Sequence, residues 1–216
     1  MQNPERETRF GMEEKLMIPC GGIELEAVLR PGDPARAGVV CHPHTLYGGN
    51  MHNNVVEAAV EALALAGWTA LRFNFRGAGR SGGRFEDGRG EKEDLAAALS
   101  FLIDRGAVRP LVVGYSFGAW VAAMAWPVLQ NLAARPLVLI APPAAFMSFD
   151  GMPRDAEIGL MICGEHDDVG PPHLAEELGS QMSHPVKPEV IRGADHFFGG
   201  RETALTERIG EYLAGL

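Results

Sequence analysis

Residues Leu111–Leu129, LVVGYSFGAWVAAMAWPVL, run for 19 positions without a charge. A stretch of that length either spans a bilayer or is folded into a core. Gly114-Tyr115-Ser116-Phe117-Gly118 interrupts its first half and Pro127 lies near its end. The run therefore reads as a buried strand, Leu111–Gly114, a sharp turn, and a buried helix, Phe117–Asn131.

The flanking sequence supports a strand–helix alternation. Lys15–Pro19 and Ile23–Arg30 are strand-like and flank Cys20-Gly21-Gly22, a hairpin turn. Ala37–Cys41 is a short apolar strand. Asn53 or Asn54 can cap a helix in which Val56, Val60 and Leu63 share a face, and Gly67 ends it. In Trp68–Phe75, Leu71, Phe73 and Phe75 alternate with Arg72, Asn74 and Arg76, a period-two pattern. The glycine-rich stretch Arg76–Gly90 is a loop. Glu91–Asp104 is a helix with Leu95, Leu99 and Leu102 on one face and Glu91, Glu93 and Asp94 where the helix dipole favours anions. Strands at Leu137–Ala141, Ile158–Cys163 and Pro188–Arg192 follow, with a helix at Pro172–Met182 and a closing helix on which Leu205, Ile209 and Leu213 align. Continuous apolar strands alternating with helices predict an α/β fold: a mostly parallel eight-stranded sheet, helices on both faces, and an N-terminal antiparallel hairpin.

At 216 residues the chain is expected to form a single domain over 15–216 after a tail over 1–14. The charged N-terminus lacks the apolar segment of a secretory signal. Three widely separated cysteines, Cys20, Cys41 and Cys163, exclude a disulfide scaffold and point to a reducing, cytoplasmic setting. With 19 basic against 28 acidic side chains, a net charge of −9 argues against nucleic acid and anionic membranes as partners.

A Gly-x-Ser-x-Gly between an apolar strand and an apolar helix lifts the serine hydroxyl above the sheet at a helix N-terminus. Neighbouring backbone passes too close for side chains at Gly114 and Gly118. Ser116 is thus the candidate nucleophile, and the Phe117 N–H points at whatever oxygen develops charge beside it. A serine needs a base, and the base an orienting acid, both from loops past the strand ends. His196 follows the last strand. His42, His44 and His52 precede the serine, and His173 and His184 read as surface residues. For the acid, Gly164-Glu165-His166-Asp167-Asp168 offers Asp167 first and Asp168 as the alternative. No second ligand group is spaced to make this segment a metal site. The second oxyanion donor is expected in His42–Gly49, at the His44 N–H, with Thr45 or Leu46 as alternatives.

The segments HPHTLYGGNMHNNVV (42–56), FNFRGAGRSGG (73–83), GYSFGA (114–119), GEHDD (164–168) and GADHFF (193–198) together resemble the α/β-hydrolase superfamily. The chain is most similar to a small, uncapped bacterial serine-hydrolase subgroup with dienelactone-hydrolase-like and prolyl-peptidase-like relatives. The resemblance covers the chain from about residue 15 and implies a catalytic triad of Ser116, Asp167 and His196. Two features depart from the pattern: dienelactone hydrolases carry cysteine where Ser116 stands, and His42-Pro43 replaces the usual His-Gly.

Only Pro142–Glu157 separates two consecutive strands where relatives insert a lid, so no lid domain is expected. Phe146, Met147, Phe149, Phe197 and Phe198 are apolar candidates for the rim, with Phe146, Met147 and Phe197 chosen for substrate binding. Arg80, Arg84 and Arg89 read as solvated surface. The expected activity is cleavage of a small-molecule carboxylic ester or thioester through an acyl-enzyme, without cofactor or metal, by a monomer or homodimer. The alternatives are a peptidase for small peptides, which needs an acidic pair such as Glu86, Asp87 or Asp195 for a free amine, and a non-catalytic binding protein on a hydrolase fold.

Overall fold

A computed structural model describes residues 12–132 and 134–216. Its eight strands are β1 (Glu14–Cys20), β2 (Ile23–Arg30), β3 (Asp33–Cys41), β4 (Trp68–Phe73), β5 (Leu111–Tyr115), β6 (Leu137–Ile140), β7 (Ile158–Gly164) and β8 (Glu189–Ile191). They form one sheet in the order β1-β2-β4-β3-β5-β6-β7-β8. β1, β2 and β4 pair antiparallel, and every pairing from β4 through β3 to β8 is parallel. The six α-helices are α1 (Asn54–Leu65), α2 (Arg89–Asp104), α3 (Phe117–Met124), α4 (Trp126–Asn131), α5 (Pro172–Ser180) and α6 (Glu202–Ala214). α1 and α6 bury Val56, Val60, Leu205 and Ile209 against one face of the sheet. The other four helices cover the opposite face with Leu95, Leu99, Val121 and Leu178. This is the expected architecture. After β3 the chain turns back to β4 on one side, whereas β5 lies on the other side of β3. That reversal opens a crevice beyond the carboxyl ends of β3 and β5.

Several boundaries differ from expectation. β1 begins at Glu14, paired with Leu29, and the adjacent Glu13 grips Arg72 through two bonds of 2.8 and 2.9 Å. Of the expected tail 1–14, residues 12–14 are described and Glu14 is already in β1, while residues 1–11 lie outside the described residues. The expected single helix 117–131 breaks at Ala125, because Pro127 has no N–H to continue the ladder. The last strand covers only three residues of the expected five.

Arg72, Asn74 and Arg76, the polar members of the period-two pattern, are all buried. Asp94, wholly buried on α2, accepts from the Arg76 main chain at 2.8 Å and from its guanidinium at 2.8 and 3.0 Å. Burial opposes the Arg76 charge, but the bonds and charge of Asp94 outweigh it and hold the guanidinium protonated. The α2 acids thus serve as partners more than as dipole ligands. Glu91 accepts the Gly88 N–H at 2.8 Å and the Glu86 N–H at 2.9 Å.

The connection after β6, residues 141–157, carries no helix or strand and no lid. Among the described residues no helix is long and apolar enough to cross a membrane.

Candidate active site

The turn from β5 into α3 is tight for a steric reason. A Cβ on Gly114 would sit 2.5 Å from the Gly118 carbonyl oxygen, and one on Gly118 would sit 2.6 Å from the Cys41 carbonyl oxygen. Between them Ser116 has φ 52° and ψ −118°, a conformation that costs a residue with a side chain and recurs at functional sites. Its own N–H donates to the Ile140 carbonyl at 2.9 Å, and its carbonyl accepts the Ala119 and Trp120 N–H groups. Phe117, first residue of α3, has no helical carbonyl for its N–H to bond.

His196 lies between Ser116 and Asp167. Its Nε2 is 2.9 Å from Ser116 Oγ, and its Nδ1 is 3.0 Å from each oxygen of Asp167. A carboxylate only accepts, so Nδ1 carries the hydrogen and the Nε2 lone pair faces the serine hydroxyl. All three are largely buried, with relative exposures of 7% for Ser116, 3% for Asp167 and 8% for His196. Asp167 Oδ1 also accepts the Val169 and Gly170 N–H groups at 2.8 and 2.7 Å, which fixes the carboxylate on its loop. Asp168, the alternative acid, is exposed. Glu165 turns away and accepts the Gly193 N–H at 2.8 Å, so the four polar residues 165–168 diverge.

The loop after β3 lies against this turn. The His44 ring is 4.8 Å from Phe117 and 4.5 Å from Phe85. His44 precedes a short 3-10 turn, Thr45–Tyr47, and its carbonyl accepts the Tyr47 and Gly49 N–H groups. The Leu46 N–H, one alternative donor, is taken by His44 Nδ1 at 3.3 Å. Burial lowers the pKa of the His44 ring, with Asp87 acting weakly the other way. His42 is fully buried. Its Nε2 accepts the Phe75 N–H at 2.9 Å, and its Nδ1 lies 2.6 Å from the Pro43 carbonyl. Burial drives its pKa down to about 4, so the ring is neutral and ties the β3 exit to the β4 exit. Asn74 adds a second tie, accepting the Met51 N–H at 2.8 Å while donating to Glu26 at 2.8 Å.

The rim divides. Phe146 and Phe197 are exposed at 75% and 64%, and Phe197 stands 5.6 Å edge-on to the His196 ring. Met147 and Phe149 are only partly buried and pack against the core. Phe198, a rim candidate from sequence, is wholly buried because its ring packs edge-on to Tyr115. Leu46 and Tyr47, exposed at 68% and 88% beside His44, were not singled out as rim residues. Their sequence signal is a pair of adjacent apolar side chains in the mostly polar loop 42–53. Of the acids a peptidase would need, Glu86 is bonded to Arg76 and Asp195 accepts the Phe197 and Phe198 N–H groups.

Residues 38–160 match the family model of the alpha/beta hydrolase fold. The uncharacterized protein RP471 of Rickettsia prowazekii is 35% identical over 209 residues, which cover 90% of this chain and 85% of that one. Among solved structures, an alpha-beta serine hydrolase homologue from Coxiella burnetii superposes with a TM-score of 0.83 at 33% identity, over 92% of this chain and 96% of that one. XC6422 from Xanthomonas campestris, described as an a/b serine hydrolase without lid, gives 0.83 at 28% identity over 95% of both chains.

Proposed function

Because the chain belongs to the α/β-hydrolase family, we propose that it is a serine hydrolase cleaving small carboxylic esters or thioesters through an acyl-enzyme. The observation that carries this reading is His196 hydrogen-bonded to Ser116 on one side and Asp167 on the other, above a strained serine at a helix start.

Ser116 Oγ attacks the acyl carbon while His196 Nε2 takes its proton. The oxygen that becomes negative is held by the Phe117 N–H and by the His44 N–H, in a site that needs no reorganisation to receive it. Collapse expels the alcohol or thiol, protonated by His196. A water deprotonated by the same nitrogen then attacks the acyl-enzyme, releasing the acid and restoring Ser116. Asp167 holds the tautomer and stabilises the imidazolium. The open, apolar rim of Leu46, Tyr47, Phe146 and Phe197 suits an acyl or leaving group that stays partly in solvent. Three free, buried thiols agree with a cytoplasmic setting.

The test is labelling with a fluorophosphonate, read by intact mass and peptide mapping, beside the Ser116→Ala variant. A single adduct on Ser116 and none on the variant is the expected result. Absence of any adduct on folded wild-type protein would overturn the reading in favour of a non-catalytic binding role. Panels of nitrophenyl esters, acyl thioesters and aminoacyl anilides then rank the substrate classes, and anilide preference would replace the esterase reading with a peptidase.

A further inference from the structure

We propose that the Tyr115 hydroxyl is a positioning group for His196 that sets the reach of the imidazole toward Ser116. This rests on the roles proposed above for Ser116 and His196.

His196 sits in a segment, residues 192–201, that has neither helix nor strand, so its placement depends on bonds from outside. Four such bonds, besides those of the His196 ring, reach residues 193–197 from more distant elements. The Glu165 carboxylate accepts the Gly193 N–H, the His166 N–H donates to the Ala194 carbonyl at 2.8 Å, and Asn54 Nδ2 donates to the Phe197 carbonyl at 2.9 Å. The fourth is the Tyr115 hydroxyl, which donates to the His196 carbonyl at 2.9 Å. No backbone N–H of the described residues donates to that carbonyl.

Tyr115 differs from the other three in two ways. It holds the peptide of the base itself, and it is covalently joined to the nucleophile as the residue before Ser116. The chain therefore closes a ring: Tyr115 to Ser116 through a peptide bond, Ser116 to the His196 imidazole at 2.9 Å, and the His196 carbonyl back to Tyr115 at 2.9 Å. Moving the imidazole away from Ser116 requires breaking one of these links. The Tyr115 ring adds to the seat, tilted 5.6 Å from the imidazole and edge-on to Phe198. The side chain is 1% exposed, and a hydroxyl buried this deeply is tolerated where it finds a partner. Burial and the charges of Asp167 and Asp195 raise its pKa, which keeps it a donor. Phenylalanine would fill the same space, so packing alone does not ask for the oxygen.

The test is Tyr115→Phe in the full chain, labelled with a fluorophosphonate over a range of reagent concentrations. The expected result is a fall of about 10-fold to 10²-fold in the maximal rate of Ser116 labelling, the scale that small misplacements of reacting groups produce. Reagent affinity should stay unchanged, and the far-ultraviolet circular dichroism should match wild type. A second readout uses no reagent: the downfield proton NMR signal of the His196 Nδ1–H bonded to Asp167 should shift or broaden in the variant. Wild type that labels, beside a variant with equal maximal rate and the same proton signal, would overturn the positioning role and leave the hydrolase reading intact. Wild type that does not label would sink the hydrolase reading itself.

Discussion

His42 places a lower pH limit on the fold that one substitution should remove. The ring is buried with its two nitrogens committed to Pro43 and Phe75, and a proton on Nε2 would face the Phe75 N–H donor-to-donor. Burial moves the pKa from 6.5 to about 4. The unfolded chain takes up this proton near pH 6.5 and the native one does not, so the neutral ring contributes its full stability above about pH 6.5. That contribution drains as pH falls toward about 4. At about 1.4 kcal/mol per pH unit, the gap is worth about 3 kcal/mol, of which about 2 kcal/mol is gone by roughly pH 5. His42→Gln keeps an acceptor in reach of the Phe75 N–H and does not titrate. Urea unfolding of both proteins across this range should show wild type losing about 3 kcal/mol more than the variant. Carboxylates common to the two proteins cancel in the difference. Parallel curves for wild type and variant would refute the claim that His42 is held neutral.

Three further perturbations probe the site and its supports. Asp167→Asn should lower kcat for ester hydrolysis on the order of 10⁴-fold, as in other triads, while Asp168→Asn stays within about twofold; the reverse ranking would swap their roles. Gly118→Ala drives a methyl into the Cys41 carbonyl and should cost about 1–3 kcal/mol in denaturant unfolding, with kcat falling further as the β3 exit shifts. Unchanged unfolding would show that the contact relaxes freely. Arg76→Leu strands the wholly buried Asp94 and should cost about 3–5 kcal/mol, a drop of about 10 °C in Tm by calorimetry. A variant as stable as wild type would mean that Asp94 does not depend on Arg76 for its partner.

The strands themselves, both helical layers and the turn at Ser116 follow from local patterns: apolar runs of strand length, three-and-four spacing, and glycines where backbones touch. Ser116 is legible in its Gly-x-Ser-x-Gly turn, and Asp167 and His196 in their places just after strands, because all such ends meet at one sheet edge. What local pattern does not carry is pairing across the chain. Arg72, Asn74 and Arg76 alternate with apolar neighbours and so resemble a wet face. Their partners Glu13, Glu26 and Asp94 lie on elements distant in sequence, and topology alone brings them together. The same holds for Tyr115 and Asn54, whose carbonyl partners on the loop bearing His196 have no signature of their own. Phe198 and Phe197 are adjacent and identical in type, yet one is core and the other rim, and the residue type cannot say which.

β8 is the last strand of the sheet, three residues long, with two of them exposed. The acid loop leaves β7 and the base loop leaves β8, and the two are stitched by the Glu165 and His166 bonds, whereas Ser116 follows directly on β5 in the middle of the sheet. The three groups therefore do not share one local stability. Edge strands open at lower free energy than central ones. Fraying at this margin would loosen the loop bearing His196 while the serine turn and Asp167 on its own loop stayed in place, so that loss of the proposed activity runs ahead of unfolding and is reversed when the edge strand docks again.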